Sequence, residues 1–97
     1  MRRDRAIAQL SAHRSEMIER FGVRSLSLFG STARDEARDD SDVDVLVEFS
    51  GPTTFRAHMG LAIYLEDLLR TRVDVLTPGG LSERLLASIQ KDLVRVA

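Results

Sequence analysis

Residues 43–49 alternate strictly between two kinds of side chain, and this pattern constrains the fold more than any other in the chain. Because successive side chains of a strand point to opposite faces, the alternation predicts a strand with one apolar face and one mostly polar face. Such a strand needs helices over its apolar face and leaves its acidic face open to a ligand. The apolar face carries Val43, Val45, Val47 and Phe49, and the other face carries Asp42, Asp44, Leu46 and Glu48.

The other elements follow from apolar periodicity and from the placement of Gly, Pro, Ser and Thr. Helices between successive strands predict an α/β (α+β) fold with a small mixed β-sheet and helices mainly on one face. The predicted elements are a helix over Arg2–Phe21 ended by Gly22, a strand over Val23–Phe29, a short helix over Thr32–Arg38 capped by Ser31, the strand Val43–Phe49, a helix from Thr53 or Thr54 to about Arg70, a strand over Val73–Leu76, and a last helix over Leu81–Leu93.

Length and composition restrict the class of protein. The chain has 97 residues, of which 43% are hydrophobic and 30% charged, which indicates one globular domain over residues 1–97. No apolar run approaches the ~18 residues of a membrane span, and no signal core follows the N-terminus, so we expect a cytoplasmic protein without a membrane contact. Zero cysteines exclude disulfides, thiolate zinc sites and thiol nucleophiles. A net charge of −1 argues against direct nucleic-acid binding.

The segment that carries chemistry joins a Gly-Ser turn to a pair of aspartates. Ten residues separate Gly30-Ser31 from Asp42-Val43-Asp44. Asp42 and Asp44 are two positions apart at the start of a strand, so both carboxylates emerge on one face and repel each other. Hard oxygen ligands of this kind favour Mg²⁺ or Mn²⁺, which relieves the repulsion and leaves coordination positions for phosphate oxygens.

Three further residues extend the candidate site. Gly30 allows close backbone approach to an anion, and Ser31 and the following helix start offer donors to phosphate. Arg34 follows one turn later and could reach the same phosphates. Asp74 lies within an apolar strand, where a carboxylate is costly unless it faces the open side, so it could complete a three-carboxylate cluster. The pattern predicts a site for a metal-bridged nucleoside triphosphate.

Two other interpretations of the acidic segment compete with this one. The residues could form a solvated acidic turn with Asp caps. They could also form a calcium loop, since Asp40, Asp42 and Asp44 occupy its first, third and fifth positions. The calcium loop fails because its sixth position is Val45 and its twelfth is Gly51, where Gly and Glu are required.

Gly30-Ser31, Asp42-Val43-Asp44 and the later Asp74 together resemble the minimal nucleotidyltransferase (MNT) proteins of the polymerase-beta-like superfamily. The resemblance covers nearly the whole chain. It implies that Asp42 and Asp44 bind two divalent metal ions, that Asp74 assists the acceptor nucleophile, and that Gly30 and Ser31 hold the triphosphate. Residues 31–37 also resemble a family stretch in which Gly is usual at the position of Asp35, so Asp35 adds a negative charge near the nucleotide.

The resemblance further implies a function. MNT proteins of this length are commonly encoded beside HEPN-domain RNase toxins and act as their antitoxins, some by transferring AMP from ATP to a toxin tyrosine. We therefore expect a metal-dependent protein adenylyltransferase whose acceptor is supplied by a docked HEPN toxin. The alternatives are a non-catalytic antitoxin that neutralises its toxin by stoichiometric binding, and nucleotidyl transfer to a nucleic acid or a small molecule.

Overall fold

The computed structural model describes residues 1–97, which form a four-stranded sheet, five α-helices and one 3₁₀ turn. In chain order the elements are α1 (Arg3–Ala12), α2 (Arg14–Phe21), β1 (Val23–Phe29), α3 (Gly30–Ala33), β2 (Val43–Phe49), α4 (Phe55–Leu69), β3 (Val73–Leu76), the 3₁₀ turn (Pro78–Gly80), α5 (Glu83–Gln90) and β4 (Val94–Arg95).

The sheet is mixed, with the strand order β3-β2-β1-β4. β1 is antiparallel to both β2 and β4, whereas β2 and β3 are parallel. The parallel pair is joined through α4, as a crossover between parallel strands requires. The predicted small mixed sheet is therefore confirmed, and β2 lies in its interior between β1 and β3.

The main core lies on the apolar face of the sheet. Val43, Val45 and Val47 of β2 are fully buried there, as the alternation predicts. They belong to one hydrophobic cluster with residues of α1, α2 and α4, including Leu10, Met17, Leu61 and Leu65. These helices cover one face of the sheet. They do not cover the opposite face, which carries the aspartates.

The acidic face is covered in part by α5. Leu46 shares this face with Asp44 and is buried in a second, smaller cluster with Phe29 of β1 and Ile89 of α5. The prediction that helices lie mainly on one face is confirmed, but α5 covers the middle of the other face. Open surface remains where β2 and β3 begin, at Asp42 and Asp74, which are both exposed.

Two predicted helices have different bounds. The N-terminal helix is interrupted at His13 (φ −109°, ψ 18°), whose Nδ1 lies 2.8 Å from the Gln9 carbonyl. The prediction of a helix over residues 32–38 capped by Ser31 is wrong: α3 is shorter, and Ser31 lies inside it. Asp35 adopts a left-handed φ of 58° just beyond α3, and this conformation cannot continue a right-handed helix.

The C-terminal region also differs from the prediction. The last helix ends at Gln90 instead of Leu93, and the chain then forms β4 against β1, with Leu28 opposite Val94. A two-residue strand carries too little alternation to be recognised in a sequence. No helix is long and apolar enough to span a membrane.

Candidate active site

Asp44 lies at the centre of the candidate site because the sheet register places it between a residue of β3 and a residue of β1. Its partner on the parallel strand β3 is Asp74, and its partner on the antiparallel strand β1 is Phe29. Register partners on adjacent strands stand on the same face, roughly 5 Å apart. The fold thus brings Asp74 beside Asp44, although they are thirty positions apart in the chain.

Asp44 lies within electrostatic reach of both other predicted aspartates, Asp42 and Asp74. Partial burial raises the pKa of Asp44, and the negative charges of Asp74 and then Asp42 raise it further. The positive charge of Arg34 acts in the opposite direction on the same pKa. Asp44 is therefore a carboxylate whose ionised form is disfavoured and would be stabilised by a cation.

Gly30 brings the start of α3 directly against Asp44. Its φ is 75°, a conformation that glycine adopts without steric cost. A Cβ atom built on Gly30 would collide with the Asp44 carboxylate. The predicted turn and the predicted carboxylate therefore meet at Gly30. The next residue, Ser31, is half-buried in the first turn of α3.

Arg34 follows α3 and is held by two carboxylates. Its Nη1 donates to Asp92 Oδ2 over 2.7 Å, and its Nε donates to Glu36 Oε2 over 3.3 Å. The hydrogen bond to Asp92, followed by that to Glu36, raises the pKa of Arg34, so its charge is secure. Sequence reasoning missed Asp92, because only the pairing of β4 with β1 shows that it lies near the Gly30 turn.

Asp42 lies at the exposed edge of the site. Its Oδ1 forms an ion pair of 3.1 Å with Nε of Arg72, whose side chain is 77% exposed. Exposed pairs of this kind are weak and are readily exchanged for another cation. Arg72 directly precedes β3 and was not identified from the sequence, since nothing in its local pattern indicates a partner.

Asp35 has a left-handed backbone conformation, which glycine, the usual residue at this position in MNT proteins, adopts easily. Its φ is positive, and Asp tolerates this region better than most residues with a Cβ. Its Oδ1 accepts a hydrogen bond of 3.0 Å from the backbone N–H of Arg3. The negative charge that was expected near the nucleotide is thus engaged by the first turn of α1.

The donor set fits a divalent cation that is shared with a nucleotide. Within residues 1–97, no group of three or more His, Asp or Glu side chains is arranged to hold a metal ion. Mg²⁺ commonly takes only one or two carboxylates and completes its coordination with water and phosphate oxygens, so Asp42 and Asp44 beside the Gly30 turn suffice for that mode. Metal binding by Asp42, Asp44 and Asp74 stays a prediction.

The site is an open surface and not an enclosed cavity. Three cavities of about 420, 420 and 370 Å³ occur in the structure, and none is lined by Asp42, Asp44 or Asp74. The first lies at the opposite end of β2, beside Glu48 and Thr77. Catalysis of phosphoryl chemistry depends on placed charges and not on an apolar cavity, so the aspartates on the open surface are the better candidate site.

Comparison with known proteins identifies the fold and the family. A family model described as nucleotidyltransferase domain matches residues 10–96. The protein adenylyltransferase MntA of Thermococcus cleftensis is 41% identical over 87 residues, which cover 90% of this chain and 88% of the relative. A solved structure assigned as a minimal nucleotidyltransferase superposes with a TM-score of 0.83 at 37% identity, covering 97% of this chain and 95% of that one.

Two more distant solved structures share the fold. A toxin-antitoxin crystal structure with AMP-PNP gives a TM-score of 0.74 at 19% identity and covers 90% of this chain and 72% of that one. A complex of a tri-AMPylated HEPN toxin with its MNT antitoxin, from Shewanella oneidensis, gives 0.67 at 17% identity and covers 94% and 71%. At these identities the likeness establishes the fold alone.

Proposed function

The chain belongs to the nucleotidyltransferase domain family, and on that basis we propose that it transfers AMP from ATP to a hydroxyl group of a partner protein. The observation that carries the proposal is the placement of Asp44 beside Asp74 and against the Gly30 turn. This arrangement puts acidic groups and a candidate phosphate-binding turn on one open surface. A nucleotidyl transfer requires both, since charge accumulates on the phosphates as the reaction proceeds.

Asp42 and Asp44 would hold the divalent cation, Mg²⁺ or Mn²⁺, and the resemblance implies two such ions. When bound, the cation supplies charge neutralisation for the phosphate oxygens. The cation would stabilise the ionised form of Asp44 most, because burial and two neighbouring carboxylates disfavour that form and raise the pKa of Asp44. Gly30, Ser31 and Arg34 would hold the triphosphate from the other side of the site.

The proposed reaction is an in-line displacement at the α-phosphorus of ATP. The acceptor oxygen forms a bond to the α-phosphorus while the bond from that phosphorus to the bridging oxygen of the β-phosphate breaks. Pyrophosphate leaves with the bond electrons, and the hydroxyl proton passes to the Asp74 carboxylate. Asp74 is exposed on the open part of the acidic face, where an incoming hydroxyl can reach it.

The proposed acceptor is a tyrosine of a HEPN-type toxin, which would make the chain an antitoxin. This part of the proposal is supported by the 41% identity to the protein adenylyltransferase MntA, by the fold shared with an MNT antitoxin bound to a tri-AMPylated HEPN toxin, and by the open site. A site without an enclosing cavity leaves room for a side chain presented by a docked protein. A cytoplasmic location and the absence of direct nucleic-acid binding belong to the same proposal.

The test combines purified protein, ATP labelled at the α-phosphate, Mg²⁺ and a HEPN-type RNase toxin, which is to be sought in the reading frame next to the one that encodes this chain. We expect label on a tyrosine of that protein, loss of its RNase activity, and both effects at sub-stoichiometric amounts of this chain. Inhibition that needs one copy per toxin and no ATP would instead establish a stoichiometric binder. Label on RNA or on a small molecule would show a different acceptor class.

A further inference from the structure

We propose that Asp92 is a positioning residue of the active site, which orients the Arg34 guanidinium toward the nucleotide phosphates. The inference rests on the proposed function and names a residue that acts through Arg34. Asp92 lies 58 positions from Arg34 and belongs to the turn between α5 and β4. No pattern around it in the sequence indicates a role.

The contacts of Arg34 leave part of its guanidinium available to bind a phosphate. A guanidinium carries five N–H donors in a planar fork. Asp92 and Glu36 each accept from one nitrogen, Nη1 and Nε respectively. Three N–H groups therefore remain for other acceptors, and two fixed contacts restrict the rotation of the plane. Of the two carboxylates, Asp92 makes the shorter contact, at 2.7 Å against 3.3 Å for Glu36.

The fold holds Asp92 at this place by two independent anchors. Before it, Ile89 is buried against Phe29 and Leu46 on the acidic face of the sheet. After it, Val94 pairs with Leu28 of β1, so the chain at Asp92 has reached the end of β1 from which the Gly30 turn departs. A short strand that adds little to the sheet thereby fixes a carboxylate beside the nucleotide turn.

From this position the Arg34 charge lies within electrostatic reach of Asp44. The pair itself is a poor source of stability, since the Arg34 and Asp92 side chains are 43% and 28% exposed. The geometry therefore favours orientation of Arg34 over stabilisation of the fold as the role of Asp92.

The experiment measures binding of AMP-PNP with Mg²⁺ by isothermal titration calorimetry, and KM and kcat for ATP in the transfer assay. We expect Asp92→Ala to weaken AMP-PNP binding on the order of tenfold, the size typical of a lost charge-assisted contact. KM should rise more than kcat falls, and Asp92→Glu should restore most of the affinity. In an Arg34→Ala background, Asp92→Ala should have no further effect, because its influence passes through Arg34.

Asp67→Ala is the matched control, because it removes an exposed carboxylate from α4, which packs on the other face of the sheet. It should bind AMP-PNP as the wild type does, and thermal melts should show that both alanine variants fold. Unchanged or tighter binding by Asp92→Ala would overturn the inference, with the proposed function intact. Failure of the wild type itself to bind AMP-PNP with Mg²⁺ would overturn the proposed function as well.

Discussion

Asp44 of β2 and Asp74 of β3 occupy the same register position on neighbouring parallel strands. Their side chains stand on one face of the sheet, and the charge of Asp74 raises the pKa of Asp44. A fold selected for stability alone would not place two carboxylates in this way, because like charges opposite each other are destabilising. Under the proposed function the two carboxylates have different roles: Asp44 would hold the cation, and Asp74 would accept the proton of the attacking hydroxyl.

The first prediction concerns stability and pH. The folded-state pKa of Asp44 is raised above its ordinary 3.8, so the folded protein binds the proton more tightly than the unfolded chain does. As pH rises from about 3.8 through the raised pKa, ionisation of Asp44 therefore lowers the free energy of unfolding. At neutral pH Asp44 is ionised, and the whole of this destabilisation is present. Asp44→Asn should raise the melting temperature at pH 7 without added metal, and the gain should shrink toward pH 4.

Thermal melts of both proteins across this pH range, followed by circular dichroism, measure the effect. Glu48→Gln is the control, since it removes one carboxylate from the same face of β2 but at the opposite end of the strand. Added Mg²⁺ should stabilise the wild type and not Asp44→Asn. A lower melting temperature for Asp44→Asn at pH 7 would contradict the electrostatic account of the site.

The second prediction separates the roles of the aspartates in the reaction. Asp44→Asn should weaken Mg²⁺-dependent nucleotide binding and lower the transfer rate by roughly 10²- to 10³-fold, the usual effect of losing one transition-state stabiliser. Asp74→Asn should lower kcat while AMP-PNP binding is largely retained, because the proposed role of Asp74 is to take the proton of the attacking hydroxyl. The two variants would be indistinguishable if Asp74 acted only as a further metal ligand.

The third prediction uses two glycines with nearly the same backbone. Gly30 and Gly22 have φ values of 75° and 69°, so alanine at either position should cost about 1–2 kcal/mol of stability from the left-handed conformation. Only at Gly30 would the new Cβ meet the Asp44 carboxylate, whereas at Gly22 nothing lies within 4 Å. Gly30→Ala should therefore also abolish transfer, and Gly22→Ala should retain it below its melting temperature.

The fourth prediction concerns Asp35. Asp35→Ala loses the hydrogen bond to Arg3 and keeps a strained φ, so it should destabilise the fold by about 1–3 kcal/mol. Asp35→Asn retains both the acceptor oxygen and the tolerance of positive φ, and should melt close to the wild type. Urea unfolding of the two variants gives the comparison, and equal loss in both would show that the charge matters more than the hydrogen bond.

Much of the fold was predictable because it rests on patterns that local chemistry enforces. The alternation from Val43 to Phe49 identified β2 and its acidic face, and Gly22 ended the N-terminal helical region as predicted. Thr54 caps α4 by accepting from the Ala57 N–H, one of the two caps proposed. Each of these signals lies within a few residues of the feature that it specifies.

The rest of the site depends on tertiary pairing, which a local pattern does not contain. The predicted convergence of Asp74 on Asp44 needed the parallel register of β2 and β3 to be established. The partners of the other site residues, Arg72 for Asp42 and Asp92 for Arg34, are surface ion pairs without a periodic signal. Asp92 in addition depends on β4, a strand of only two residues.

The most direct test of the central claim is a crystal structure of this chain with AMP-PNP and Mn²⁺, in which anomalous scattering locates the metal. The account predicts anomalous peaks beside the Asp42 and Asp44 carboxylates, with the triphosphate between them and the Gly30-Ser31 turn. A triphosphate bound elsewhere, such as the cavity beside Glu48 and Thr77, or manganese without contact to Asp44, would contradict it.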